Sequence, residues 1–230
     1  QSAWRAQYRD LGYAPAEQPG AWAAWGDLRQ RMELNPPASD RAADAIEPGN
    51  EWNPYLEALS GYMNGADLGQ VSVADYLAYD RAATDRNWRL REGYGTLIAA
   101  LLPPATVRLA TPVTAIDHRG AAVRLATRAG TITADAAIVT VSTAVLASGA
   151  IGFSPAIDDH LDAAARLPLG LADKLFLGLG EGHGLEPDSH LIGNPRSAVT
   201  GSYYIRPFGE PVVECFLGGS GAEQLEQAGL

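Results

Sequence analysis

The chain has 230 residues, 47% of them hydrophobic and 19% charged, with a formal net charge of −10. That length and apolar content are enough for one large domain or two small ones around a real core. The acidic balance, with basic residues spread singly, argues against nucleic-acid binding, and the one cysteine, Cys215, excludes an internal disulfide or a cysteine-rich metal site.

An acidic surface would attract cationic amines, although acidity also serves plain solubility. No stretch is apolar and long enough to span a membrane, and the first residues lack the hydrophobic region of a signal peptide. A soluble, cytoplasmic protein is therefore expected. The chain opens on Gln1 rather than Met, as expected of a processed, tagged or excised piece.

Up to about residue 90 the pattern is helical, with Trp, Leu, Tyr and Met at helix spacing between the breakers Pro19-Gly20, Pro36-Pro37 and Pro48-Gly49. Helices are predicted near 21–34, 54–64 and 73–83. Ser72 is placed to cap the last, with Asp75 at the capping-box position. All five tryptophans, Trp4, Trp22, Trp25, Trp52 and Trp88, fall in this stretch, and packing between helices is their expected use. Gly93-Tyr94-Gly95 then reads as a loop and 96–102 as a short helix stopped by Pro103-Pro104.

Strands are predicted at 106–109, 112–116 and 122–127, with turns at Gly120 and Gly130. The unbroken apolar run Ala136 to Val141 reads as a strand covered on both faces, yet no second run of that type accompanies it. A helix over 158–167 follows, with acidic residues at its start where the helix dipole favours them. Further strands are predicted at 173–179, 201–206 and 212–217, and a final helix at 221–226. Cys215 lies within the apolar run 212–217 and reads as a buried strand residue. The fold class is α+β, a mixed sheet with helices.

Motifs that carry chemistry are scarce: there is no G-x-G-x-x-G after a strand, no P-loop, no H-E-x-x-H and no G-x-S-x-G. His118, His160, His183 and His190 lack metal spacing and read as residues of turns or helix surfaces, so no metal is expected. Lys174 stands apart because it interrupts the apolar strand Leu175-Phe176-Leu177 at its start. Alternation puts it on the face of Phe176, with Leu175 and Leu177 on the other. A lysine on a buried face must be paired, line a wet cavity or lose its proton. The plainer alternative is a lysine snorkelling at an exposed edge.

From about Leu90 to Leu225 the order of elements resembles the flavin-containing amine oxidases of the monoamine and polyamine oxidase type. The resemblance is carried by Leu90 through Ile98, by Val107 through Ile116, by Gly130 through Val141, by Ser154-Pro155, by Leu169-Gly170 through Phe176, and by Val212 through Ala222. Each fragment is weak alone, and their shared order is specific. The resemblance implies a substrate domain plus a remnant of the FAD-binding domain: a helical part over 1–90, a junction over 91–150, and substrate-domain sheet and helices over 151–230.

It also implies FAD as cofactor in the complete protein, with Val113, Thr140, Val141 and Ser142 beside it. Lys174 would be the lysine that holds a water against flavin N5, and Tyr203 and Tyr204 lie on a strand that lines the family's substrate cavity. At Ser142 the sequence departs from the family's usual proline. The implied reaction passes a hydride from the α-carbon of an amine or amino acid to flavin N5. The family's glycine-rich FAD fingerprint and its C-terminal FAD segments have no counterpart in this sequence, so the isolated chain is expected to be an inactive fragment that does not hold FAD tightly. Its expected partners are a small amine and the absent FAD-domain segments. Two other functions share the architecture: a desaturase or protoporphyrinogen oxidase-like flavoprotein, and a non-catalytic binding module.

Overall fold

The computed structural model describes residues 18–84, 89–102 and 107–229. Trp4, Trp88, Pro103-Pro104 and the first residue of the strand expected at 106–109 lie outside the described residues. Two compact units are formed, one from residues up to Tyr94 together with Gly170 onward, the other from Gly95 to Leu169.

The first unit begins with α1, Gln18–Leu34. Its Ala21, Ala24, Leu28 and Met32 recur at helical spacing and are all buried. In α2, Asn53–Asn64, Pro54 stands in the first turn, where its missing N–H is harmless, and Gly65 closes the helix in the left-handed conformation at φ 64°. α3, Val73–Ala82, starts at the predicted cap: the Ser72 hydroxyl accepts from the Asp75 amide at 3.1 Å. Short 3-10 turns at Ala42–Ala45 and Leu68–Gln70 connect these helices. The core of this unit contains Leu28, Met32, Trp52, Tyr55, Leu56, Val73 and Tyr76, with Trp25 packed against it. Trp52 thus packs as expected, whereas Trp22 is exposed.

The second unit carries α4, Tyr94–Leu101, which buries none of its residues. A sheet follows, built from β1, Val113–Asp117, β2, Val123–Thr127, and β3, Gly130–Ala134. These pair antiparallel in sequence, and α5, Thr143–Ala147, comes next. β4, Gly152–Ser154, adds parallel to β1, giving the order β3-β2-β1-β4. α6, Asp158–Ala165, begins on its two acidic residues, and the Thr143 hydroxyl donates to the Leu167 carbonyl at 2.7 Å just beyond its end.

The structure corrects two strand expectations. Leu109 and Ala110 form a turn, not a strand. The run Ala136 to Val141 makes no ladder with any described strand, and Ile138 is 91% exposed. An apolar run becomes a strand only when neighbours accept its backbone hydrogen bonds, and no described residues do so.

The first unit resumes with its own sheet. β5, Ala172–Gly178, β6, Ser189–Ile192, β7, Ser202–Ile205, and β8, Val212–Gly218, assemble antiparallel in the order β5-β8-β7-β6. β8 is central and holds buried Val213, Glu214 and Cys215. α2 lies against it at a glycine crossing: a Cβ on Gly61 would sit 2.6 Å from the Gly218 carbonyl oxygen. α7, Ser220–Gln227, follows, and the Asp67 carboxylate accepts from both the Ser220 amide, at 3.0 Å, and the Ser220 hydroxyl.

Candidate functional site

Strand alternation and the pairing register decide what faces what in the second sheet. Lys174 lies opposite Phe216, and Phe216 opposite Ser202. Phe176 lies opposite Glu214, Glu214 opposite Tyr204, and Tyr204 opposite His190. One face therefore collects Lys174, Phe176, Glu214, Phe216, Ser202, Tyr204 and His190. Leu175, Cys215 and Tyr203 take the other.

Glu214 is the centre of that face. Its side chain is 3% exposed, between aromatic partners on both neighbouring strands. Lys174 Nζ donates to Glu214 Oε1 at 2.6 Å, and Arg89 donates from its guanidinium to Oε2. A carboxylate so buried is stable as an anion only when paired, and in this sheet each oxygen has its own cation. The cations also lie over rings: Lys174 Nζ is 5.3 Å from the Phe216 centroid, and the Arg89 guanidinium carbon 5.2 Å from that of Tyr204. Tyr204 stacks on His190 with centroids 4.6 Å apart, and His190 Nε2 is 2.6 Å from the Ser202 hydroxyl. Burial pushes the His190 pKa down to about 4, so the ring is neutral at pH 7. It is a strand residue, not one of a turn or helix surface.

Lys174 itself lies on the edge strand β5 with its side chain 49% exposed. It is thus neither enclosed nor merely snorkelling, but paired. Phe176, two residues on, is 64% exposed on the same face. Among the described residues Lys174 makes no other hydrogen bond, which leaves two of its three N–H donors open to a ligand or water.

The remaining predicted residues are placed as follows. Tyr203 pairs with Cys215 on the opposite face, and burial raises the pKa of both the phenol and the thiol. A thiol so raised is no nucleophile. In the other unit, Val113 opens β1 opposite Thr127. Thr140 and Val141 lie in the exposed, unpaired run. Ser142, where the family's proline would stand, is the N-cap of α5, its hydroxyl accepting from the Val145 amide at 3.3 Å. The structure brings Lys174 and Tyr204 together through Glu214 and Arg89. Val113 and residues 140–142 belong to the separate unit.

Glu214 and Arg89 escaped sequence reasoning. One signal was available: Glu214 breaks an apolar strand just as Lys174 does, and two opposite charges in two apolar strands invite pairing. A second signal is compositional, since of 17 basic residues Lys174 is the single lysine and 16 are arginines. A compact ammonium stands at the one place where a planar guanidinium does not. Among the described residues no group of three His, Cys, Asp or Glu could hold a metal, and no helix is long and apolar enough to cross a membrane.

Known proteins share this arrangement of elements. The structure superposes on a cyclohexylamine oxidase from Brevibacterium oxydans with TM-score 0.68 and 19% identity, over 96% of this chain and 56% of that one. It superposes on a putrescine oxidase redesigned in its cofactor binding with TM-score 0.62 and 13% identity, over 94% and 56%. At such identities the likeness concerns the fold, an α+β arrangement spanning just over half of either enzyme. Lysine-specific histone demethylase 1B of Mus musculus is 32% identical over 120 residues, half of this chain and 14% of that protein. Lysine-specific histone demethylase 2 of Homo sapiens is equally similar over the same length, 15% of its own. Residues 12–229 match the family model of the flavin-containing amine oxidoreductases, and the chain belongs to that family.

Proposed function

We propose that this chain supplies the substrate-domain sheet, and the lysine beside the flavin, of an FAD-dependent oxidase of amines or amino acids. The observation that carries the reading is Lys174: the single lysine of the sequence, held on an aromatic face, with two donors open. This donor set suits the edge of a flavin, a planar ring that offers nitrogen and carbonyl acceptors. When bound, the flavin takes the hydride leaving the carbon that bears the amine.

The chain's own residues have three tasks in this scheme. Lys174 Nζ holds a water by hydrogen bonds at the flavin edge and fixes where it sits. Phe176 and Tyr204 offer apolar surface to the substrate, which favours the neutral amine needed for oxidation by excluding water. The family resemblance gives Val113, Thr140, Val141 and Ser142 a cofactor-binding role, with the pyrophosphate half of FAD resting on segments of the whole protein outside this chain. The exposed run Ala136 to Val141 finds its strand neighbours in those same segments, so the chain alone holds FAD weakly and does not turn over. The whole protein works in the cytoplasm.

The test is to express the whole open reading frame, record its visible flavin spectrum, and assay peroxide release with cyclohexylamine, putrescine and amino acids. The reading expects a flavin spectrum and turnover of at least one of these classes. A flavin-free protein that turns over none of them overturns it.

A further inference from the structure

A lysine that must hold a water in one place has to be held itself. We propose that Glu214 is a positioning residue for the Lys174 ammonium, with Arg89 bracing the same carboxylate at its second oxygen; the proposal rests on Lys174 standing at the flavin edge.

Three observations lead there. Glu214 is buried at 3% exposure in the central strand β8, so its place is set by the packing of the sheet. Lys174, by contrast, lies on the edge strand with a long stem that is half exposed. Untied, such a side chain samples many rotamers and drifts toward water. Its single hydrogen bond to the described residues, at 2.6 Å, ties the mobile partner to the fixed one. Arg89, reaching the other oxygen, keeps the carboxylate from turning.

The charge arithmetic sharpens this. One anion serves two cations, so replacing Glu214 by a neutral residue leaves Lys174 and Arg89 side by side with no negative charge between them. Attraction becomes repulsion. Because Lys174 is the more exposed of the two cations, 49% against 28% for Arg89, it is the one that leaves. Glu214→Gln, nearly the same shape, therefore displaces Nζ while preserving the sheet.

The experiment uses the full-length, flavin-loaded protein and two readouts. Lys174 is labelled by reductive methylation and quantified by peptide mass, and anaerobic flavin reduction is followed with cyclohexylamine as probe. Glu214→Gln is expected to label several-fold faster at Lys174 than the unaltered protein. It should also reduce flavin about tenfold more slowly at saturating amine, with little change in half-saturation. Glu214→Asp keeps the charge but withdraws it by one methylene, and should fall between on both readouts; it stands in if the glutamine variant does not fold. Labelling at the unaltered rate in these variants overturns the proposal, even if Lys174→Met slows flavin reduction and so upholds the flavin reading. Faster labelling, with flavin reduction unmoved by either Lys174→Met or Glu214→Gln, supports positioning and rejects the flavin reading instead.

Discussion

The two units spend their apolar residues differently. The unit of α1 to α3 and the β5–β8 sheet buries Leu28, Met32, Leu56 and Val73 almost completely, and places one paired carboxylate in the middle of its sheet. The unit of residues 95–169 exposes Leu97, Ile98 and Leu101 of α4, and Ile138, Val139 and Val141 of the unpaired run. Apolar content is therefore no guide to where the core lies. What separates the units is whether the apolar positions recur at the period of an element that has a partner to pack on. The first unit meets that condition by itself.

If the first unit carries the chemistry as well as the core, its polar face should be sensitive in rate and tolerant in stability. Lys174→Met in the full-length protein is expected to slow flavin reduction about 100-fold, the loss of one positioned donor. Arginine at 174 should not restore the rate, because its planar fork presents donors in another geometry. The melting temperature should fall only modestly, since Lys174 is half exposed and Arg89 still pairs the buried Glu214 carboxylate when the ammonium is gone. Stopped-flow reduction beside a thermal melt measures both, and a variant that melts early but reduces flavin normally breaks the comparison.

The same face makes the first unit acid-sensitive. His190 has its pKa pushed by burial from 6.5 to about 4, so between those values the unfolded chain binds a proton that the folded one does not. Stability from this group is complete above pH 6.5 and is lost as pH falls toward 4, about 3 kcal/mol. Denaturant titrations between pH 7 and 4 should show that slope, and His190→Gln should flatten it. Next in size is the crossing of α2 and β8. A Cβ on Gly218 would lie 1.8 Å from the Gly61 carbonyl oxygen, and Gly218→Ala is expected to cost about 1–3 kcal/mol by overpacking. Gly95, whose Cβ would meet nothing, lies in the other unit and carries no such steric load.

Legibility followed the range of each interaction. The helices of the first unit were readable because their causes are local: the Ser72 cap, Pro54 in a first turn, and the spacing of Ala24, Leu28 and Met32. Lys174 was readable because it breaks an alternation within a single strand. Glu214 was not singled out, since its partners lie 40 and 125 residues away in sequence, and a lone glutamate in a strand looks like an outward-facing one. The run Ala136 to Val141 misled for the opposite reason: local composition is right for a covered strand, but pairing is decided by residues elsewhere. The family resemblance was legible from element order alone, before any contact was known.

The smallest effect gives the cleanest contrast between units, because each has one helix capped by a serine. In α3 the Ser72 hydroxyl accepts from the Asp75 amide and donates to the Asp40 carboxylate at 2.5 Å, and Asp40 also accepts from the Ala74 amide at 2.9 Å. That helix buries Val73 and Tyr76 in the core. In α5 the Ser142 hydroxyl accepts from the Val145 amide at 3.3 Å, and the five-residue helix buries nothing. Removing a cap typically costs about 1 kcal/mol, but a helix contributes that cost to global stability only if its unfolding exposes the core. Ser72→Ala should therefore lower the unfolding free energy by about 1 kcal/mol. Ser142→Ala should leave it unchanged and show instead as faster hydrogen exchange confined to residues 143–147. Equal losses from the two substitutions would mean that α5 is coupled to a core, and the contrast between the units would not hold.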